Sequence, residues 1–245
     1  MSDFVQKPLE TKLLCLLKVG SKEHIESLAN GKIFCRHLKF YKDPSHKDKS
    51  FYDPHEGLAG IFQPELSCLE IGIENEKNTI TQGSGLISPV LISKNLNIPA
   101  FCLHAIHTGD WTNRKFNEDE IEVFKTYLQI PDEMTKFENY VMVITNAEEF
   151  FVRLKTACNK ESIRILGRGL VKYADLAKVH GKIPEEFIGF IKQSKHSPER
   201  EYRFTFGGNK ELPDPFDQLN IGSLKDITLV MPLKEFMSDW SIQFE

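Results

Sequence analysis

The stretch KHSPEREYRFTF, residues Lys195–Phe206, alternates acidic and basic residues and then continues into a strand-favouring aromatic run. Because side chains alternate between the two faces of a strand, Glu199, Glu201 and Arg203 are predicted to share one face. Two interpretations follow: a solvated edge strand, or a strand that presents working carboxylates to a site. Glu201 is the stronger candidate, because Glu199 is expected at the lip of the strand and Glu201 one pleat inside.

Short strands, about nine in number, are predicted around this stretch together with three or four helices. Strands are expected at Thr11–Val19, Lys32–Tyr41, Ile98–Gly109, Asn139–Thr145 and in several segments after residue 160. Helices are expected after Ser21, at DEIEVFKTYLQI, after Asn146 and at PEEFIGFIKQSK. Because the strands come in runs instead of alternating strictly with helices, the sequence predicts an α+β fold with a mixed or mostly antiparallel sheet. No linker or repeat interrupts the chain, so a single domain over residues 1–245 is predicted.

The net charge is −4 and the isoelectric point is about 6.1, which argues against a general electrostatic grip on nucleic acid or membrane. A polar N-terminus and short apolar runs predict no signal peptide and no membrane span. The odd cysteine count and the lack of C-x-x-C spacing favour reduced, buried thiols and a cytoplasmic protein. The five cysteines are Cys15, Cys35, Cys68, Cys102 and Cys158.

Several well-known catalytic signatures are missing from the sequence. There is no G-x-x-x-x-G-K-[ST], G-x-G-x-x-G, G-x-S-x-G or H-E-x-x-H. This argues against a P-loop enzyme, a Rossmann dehydrogenase, a standard α/β-hydrolase and a zincin. No histidine pairs with a cysteine at metal-ligand spacing, so no metal is expected.

A long polar segment, residues 42–65, contains Asp53-Pro54-His55-Glu56-Gly57. Proline and glycine at these positions are typical of an ordinary turn. The alternative is that two carboxylates and an imidazole lie on one loop near the mouth of a pocket, where functional loops are common.

Two further positions carry candidate binding groups. Arg36 and His37 lie in an apolar strand, either on a half-exposed face or in a cleft where arginine could hold a phosphate. His104 lies in FCLHAIHT, either as a core-edge histidine that satisfies a backbone group or as a pocket wall. His107, three residues on, is expected to face the other side of the strand.

The order of these motifs resembles a bacterial family of uncharacterised domains found in prophage and defence neighbourhoods. The matching motifs are the Asp53–Gly57 loop, Phe101-Cys102-Leu103-His104, and the E-x-E-x-R strand from Glu199 to Arg203. The likeness spans about Leu13 to Thr205. More remotely, the layout resembles the ADP-ribosyltransferase superfamily, which implies a single domain with a split β-sheet core and flanking helices.

The resemblance implies an NAD⁺-consuming mono-ADP-ribosyltransferase, in the manner of a toxin or an anti-phage defence effector. It implies Glu201 as the catalytic glutamate and Glu199 as a target-orienting acid. Arg36 or His37 would contact the cofactor, and Tyr41 would stack on nicotinamide. The superfamily's middle-strand S-T-S run is replaced here by CLHAIHT. Its implied partners are NAD⁺, an RNA, DNA or protein target, and a cognate antitoxin or inhibitor.

Two alternatives remain open at the level of the sequence. One is a hydrolase or nuclease that binds a metal through Asp53, Glu56, Glu199 and Glu201. The other is a non-catalytic partner-binding protein, for which an apolar surface patch would be essential and the glutamates would not.

Overall fold

The structure is a computed structural model that describes residues 11–47, 49, 51–63, 69–73, 76–80, 90–111, 115–132, 134 and 139–239. Contacts divide the chain into two compact units. Unit 1 comprises Met1–Arg36, Pro99–Leu170 and Pro198–Glu245, and unit 2 comprises His37–Ile98 and Val171–Ser197. The prediction of one domain over residues 1–245 stays a prediction. Cys68, one of the predicted buried thiols, lies outside the described residues.

Strands and short helices alternate irregularly along the described parts of the chain. The strands are β1 (Leu13–Gly20), β2 (Lys32–His37), β3 (Leu58–Ile61), β4 (Leu69–Ile73), β5 (Glu76–Ile80), β6 (Val90–Ile92), β7 (Pro99–His107), β8 (Tyr140–Ile144), β9 (Ile163–Leu170), β10 (Lys172–Ala174), β11 (Gly181–Lys182), β12 (Ile191–Gln193), β13 (Glu201–Gly208), β14 (Phe216–Asn220) and β15 (Thr228–Pro232). The α-helices are α1 (Lys22–Ala29), α2 (Leu38–Tyr41), α3 (Glu118–Leu128), α4 (Ala147–Lys160) and α5 (Leu233–Asp239). In the described parts of the chain, no helix is long and apolar enough to cross a membrane.

Unit 1 is built on an eight-stranded sheet. Six strands follow the order β14-β2-β7-β1-β8-β15, while β13 pairs with β7 and β9. The registers of β13 with β7 and β9, and of β1 with β7 and β8, are antiparallel. The predicted α+β class with mostly antiparallel pairing is confirmed. Parallel pairing is described between β10 and β12, in unit 2.

Both faces of this sheet are covered by apolar side chains. Neighbouring residues of β1 point to opposite faces, so two adjacent leucines show what packs on each face. Leu16 belongs to a cluster with Phe101 and Phe150, and so lies on the side of α4. Leu17 belongs to a second cluster with Phe124 of α3. The sheet is therefore the middle layer of unit 1, with an apolar cluster on each face.

Side-chain caps fix the starts of three helices. The helices expected after Ser21 and Asn146 are confirmed, and each of these two residues caps its helix by accepting a hydrogen bond from the backbone N–H three residues on. A full capping box at the start of α3, made by Asn117 and Glu120, was not predicted. Each such cap contributes on the order of 1 kcal/mol to helix stability.

Several predicted elements are wrong in detail. The strand expected at Lys32–Tyr41 ends at His37, and the last four residues form α2. The helix expected at PEEFIGFIKQSK is a 3-10 turn, Glu185–Phe187, followed by β12. The segment 42–65, expected to be a loop, contains β3 and a 3-10 turn at Pro44–His46.

Unit 2 consists of short strand pairings. β3 is the middle strand of an antiparallel sheet with β11 and β6, and β4 pairs with β5. A buried glutamine ties the segments of this unit together, because the Gln63 side chain donates to the carbonyls of Leu176 and Val179. Two distant parts of the sequence thereby form one compact body.

Candidate active site

The register between β13 and β7 places Glu201 directly opposite His104. Directly opposed residues of an antiparallel pair point to the same face of a sheet, with Cα atoms roughly 4.5–5.5 Å apart. One step along, Arg203 lies opposite Cys102. A carboxylate and an imidazole that are 97 residues apart in sequence are thus neighbours on one face of unit 1.

Arg203 binds the Glu201 carboxylate through two contacts. Its Nε donates to Oε1 at 2.5 Å and its Nη2 donates to Oε2 at 3.3 Å. Glu201 is 5% exposed and Arg203 is 1% exposed. A charge buried to this extent requires an opposite charge with good geometry, which each residue supplies to the other.

His104 is held by one ring nitrogen, and the other has no hydrogen-bond partner among the residues that the structure describes. Its Nδ1 lies 2.8 Å from the carbonyl oxygen of Glu199, and because a carbonyl only accepts, Nδ1 carries the hydrogen. Burial lowers the pKa of His104 from 6.5 to about 4, so the ring is neutral at pH 7. Nε2 therefore carries a lone pair, and it is buried without a hydrogen-bond partner in the described structure.

The backbone just before β13 differs from the prediction. Glu199 ends a 3-10 helix, Ser194–Glu199, so it is not on the strand that carries Glu201. Arg200, between them, has a φ of 39°, a left-handed conformation that costs a non-glycine residue on the order of 1 kcal/mol. The carbonyl of Arg200 accepts from the Ala105 N–H at 2.8 Å, and its guanidinium lies 4.4 Å from the Tyr127 ring centroid. These contacts hold the chain in the unfavourable turn.

A cleft of about 110 Å³ opens at this position in unit 1. Typical pockets for drug-sized ligands measure roughly 300–1,000 Å³, so this cleft holds a single ring and not a whole dinucleotide. One wall is cationic, because Lys18 lines the cleft and its Nζ donates to the Cys102 carbonyl at 2.7 Å. The lining residues are Leu17, Lys18, Val19, Cys102, Leu103, His104, Met134, Glu199 and Glu201.

Beyond β13, the next strand presents glycines to this face of the sheet. Gly169 lies opposite Arg203, and Gly167 lies opposite Thr205. Opposed residues share a face, so β9 contributes no side chain beside the Glu201–Arg203 pair. At Gly169, a Cβ would meet no atom within 4 Å.

The predicted site residues fall into three groups. Glu199, Glu201 and His104 come together in the cleft. Arg36 belongs to unit 1, but it is not among the described cleft residues, and its Nε lies 3.4 Å from Asp214 Oδ1. His37 and Tyr41 belong to unit 2. His37 directly precedes α2, and Tyr41 is its last residue. Their predicted contacts with a cofactor stay predictions.

The functional interpretation expected the acids of the Asp53–Gly57 loop to lie near the mouth of a pocket, but the loop does not expose them. Asp53 and Glu56 are both 0% exposed. Asp53 Oδ1 accepts from the His55 N–H at 2.9 Å and lies 3.9 Å from His196 Nε2. Across the residues that the structure describes, no three histidine, cysteine, aspartate or glutamate side chains form a group that could hold a metal.

Sequence reasoning did not assign the other six lining residues to a site: Leu17, Lys18, Val19, Cys102, Leu103 and Met134. The spacing of Glu201 and Arg203 was a usable signal for their pairing, since residues two apart on a strand share a face. The register that brings β1 and β7 to this site has no comparable signal in a single sequence.

Comparisons of the chain with protein-family models, with curated proteins and with solved structures found no significant match.

Proposed function

We propose that the protein is an NAD⁺-dependent mono-ADP-ribosyltransferase in which Glu201 is the catalytic carboxylate. The observation that carries this proposal is the position of Glu201, which lines a cleft directly opposite the neutral imidazole of His104. The proposal includes the finer fold assignment, an ADP-ribosyltransferase-like split sheet with the glutamate on a late strand. It also includes a role as a toxin or defence effector that acts on a macromolecular target.

The chemistry requires a fixed negative charge beside a ribose. Cleavage of the bond between nicotinamide and ribose leaves positive charge on the sugar, which a carboxylate held at its hydroxyls stabilises. A carboxylate that is already oriented needs no reorganisation when this charge develops. Arg203 supplies that orientation for Glu201 through its two contacts.

The size of the cleft limits what enters it. A volume of about 110 Å³ suits one ring of the substrate, so only the ribose that joins nicotinamide is proposed to lie against Glu201. Lys18 supplies a cation on the wall of the cleft, which suits the negative charge of the adjoining phosphates. Glu199 lines the same cleft and is proposed to orient the target.

The test is nicotinamide release from NAD⁺ by the purified full chain, followed by chromatography with and without candidate protein and nucleic-acid targets. Glu201→Gln is expected to lower the rate roughly 10²–10³-fold, the cost of removing one preorganised electrostatic group. Glu211→Gln, at an exposed glutamate of unit 1, is the matched control and should retain the wild-type rate. Thermal melting of each variant checks that it remains folded.

Two results would overturn the proposal. One is NAD⁺ that stays intact with every candidate target. The other is a folded Glu201→Gln protein that releases nicotinamide at the wild-type rate.

A second candidate function is non-catalytic partner binding, which one surface feature favours. Leu229 and Val230 are exposed on β15, the last strand in the sheet order of unit 1. Exposed apolar groups on a terminal strand are typical of an interaction edge. If Val230→Asp abolished the biological effect of the protein and Glu201→Gln left it intact, partner binding would be favoured over ADP-ribosyl transfer.

A further inference from the structure

We infer that His104 is the general base of the reaction, and that the group it deprotonates is a hydroxyl. The inference rests on the proposed function and deepens it, because it names a second catalytic residue and the chemical class of the acceptor. Nε2 of His104 would take the proton of the oxygen that attacks the ribose. The acceptor is accordingly water, an alcohol, or a hydroxyl of the macromolecular target.

The unpartnered nitrogen of His104 is the first observation. The side chain is 3% exposed and lines the cleft, yet Nε2 has no hydrogen-bond partner within the described residues. Leaving a buried acceptor unsatisfied has a free-energy cost, because the hydrogen bond that water would supply is lost, and folded proteins rarely tolerate it. A ligand hydroxyl in the cleft would donate to Nε2 and remove that cost.

The way the ring is held is the second observation. A general base needs a partner that fixes its tautomer and orientation, as the third member of a catalytic triad does for histidine. The Glu199 carbonyl does this for His104, because it accepts from Nδ1–H at 2.8 Å and leaves Nε2 as the free acceptor. The carbonyl itself is held in the turn that ends at Arg200, which β7 binds through Ala105.

The third observation is that the two proposed catalytic groups share one face of the sheet. Glu201 and His104 are direct partners across β13 and β7, and both residues line the same small cleft. A ribose lying over them would have one side against the carboxylate and the attacking oxygen against the imidazole. This is the arrangement that nucleophilic attack with base assistance requires.

Burial keeps His104 as a free base, and its neighbours add to that effect. The Arg200 guanidinium on the neighbouring segment opposes protonation, as does His107 on the same strand. Lys18 of β1, Cys102 of β7, and Glu199 and Glu201 line the same cleft. Burial is the largest effect on its pKa, which lies at about 4.

The step balances without any further reactant. The bond between the ribose carbon and the nicotinamide nitrogen breaks, and its electron pair neutralises the pyridinium. The acceptor oxygen forms the new bond to that carbon, its O–H bond breaks, and the proton moves to Nε2. The imidazolium then releases the proton to water, which restores the neutral ring.

The cation already on the wall of the cleft, Lys18, and the weakness of the base together select the acceptor. A hydroxyl oxygen that attacks a cationic sugar becomes strongly acidic as the bond forms, so a weak base is sufficient. An arginine guanidinium stays protonated throughout the working pH range and must lose a proton before it can attack, which a base of this strength cannot achieve. The proposed acceptor class is therefore hydroxyl and excludes guanidinium.

The test compares His104→Asn, His104→Gln and Glu201→Gln with the wild type in nicotinamide release from NAD⁺. Asparagine places its amide near the position of Nδ1, so it retains the donor to Glu199 and removes Nε2. Glutamine reaches the position of Nε2 and can accept a hydrogen bond there but cannot take a proton. The expected loss is roughly 10²–10⁴-fold in kcat for both His104 variants, with a smaller change in KM for His104→Gln.

Two further measurements separate a base from a structural residue. The wild-type rate should fall below about pH 5 as His104 takes up a proton, whereas the residual rate of His104→Asn should not follow that profile. With methanol as a hydroxyl probe and agmatine as a guanidinium probe, methyl ADP-ribose should form and an agmatine adduct should not.

The outcomes distinguish the inference from the function on which it rests. Folded His104 variants with more than half the wild-type rate, beside an inactive Glu201→Gln, overturn the base while the proposed function stands. An agmatine adduct overturns the acceptor class. A wild-type protein that leaves NAD⁺ intact, or an active Glu201→Gln, overturns both the function and the inference.

Discussion

Arg203 and Glu201 form a buried ion pair within a single strand, with Nε of the guanidinium 2.5 Å from Oε1 of the carboxylate. The two residues are separated by one position on β13 and share its polar face. Because neither charge has much access to water, the attraction within the pair is offset by the cost of burying it, but removal of one partner alone would leave a costly buried charge.

Removing one partner of this pair should destabilise the protein strongly. Arg203→Met leaves the Glu201 carboxylate buried without its counter-charge, and we expect a loss of about 3–5 kcal/mol in the free energy of unfolding, measured with urea. The double variant Glu201→Met, Arg203→Met should recover part of that loss, since no lone charge remains. Arg164→Met, at an exposed position of β9, is the control and should change stability by less than about 0.5 kcal/mol. Equal losses for the single and double variants would contradict this account.

Acid should destabilise the protein through His104. Burial lowers the folded-state pKa from 6.5 to about 4, so between these values the unfolded chain binds a proton that the folded protein does not. Above pH 6.5 the neutral His104 does not reduce the free energy of unfolding. As the pH drops from 6.5 toward 4, the free energy of unfolding falls by about 3 kcal/mol because of this residue. His104→Asn should remove this part of the pH dependence, as read from urea unfolding at several pH values. A wild-type and variant that lose stability in parallel over this range would refute it.

A second acid effect belongs to a surface cluster and occupies a lower pH window. Arg153 binds both Glu149 and Asp226, and its hydrogen bonds lower the pKa of Asp226 from 3.8 to about 2. A lowered carboxyl pKa stabilises the folded state above pH 4, and this contribution is lost as the pH falls from about 4 to about 2. The melting temperature of Asp226→Asn should therefore fall less between pH 4 and pH 2 than that of the wild type. The same decline in both proteins would show that the cluster does not contribute.

Two glycines on contacting segments, one after α1 and one after β14, offer a matched test of backbone packing. Gly31 has a φ of 91°, and a Cβ there would lie 2.1 Å from the Gly222 carbonyl oxygen. Gly222 has a φ of 80°, and a Cβ there would meet no atom within 4 Å. Both alanine variants bear the cost of a left-handed conformation, on the order of 1–2 kcal/mol. Gly31→Ala should cost clearly more in urea unfolding because the backbone must also move apart, and equal costs would contradict the contact.

The fold class was predictable because the strand runs and helix caps are local signals. Ser21 and Asn146 are N-cap residues that directly precede their helices, and the apolar run of β1 predicts a buried strand. The helix expected at PEEFIGFIKQSK failed for a non-local reason. Its residues Ile191–Gln193 pair with β10, and the hydrogen bonds of that pairing decide the conformation.

The candidate site was predictable in part. Alternation along β13 predicted that Glu201 and Arg203 share a face, which is confirmed, and Glu201 and His104 both line the cleft; their functional roles stay predictions. The same alternation gave the wrong position for Glu199, because it assumed a strand where the chain makes a 3-10 turn. The pairing of Glu201 with His104 depends on a strand register across 97 positions, which a single sequence does not encode in any local pattern.

The contact between Glu199 and His104 has a consequence for tracing related chains. It is made by a backbone carbonyl, which every amino acid carries, so the identity of residue 199 is not constrained by it. Another residue at position 199 would leave the imidazole oriented, provided that the turn keeps its shape, and would change only the side chain that is proposed to orient the target. A related chain with a different residue there would therefore keep the proposed base, and we expect it to act on a different target.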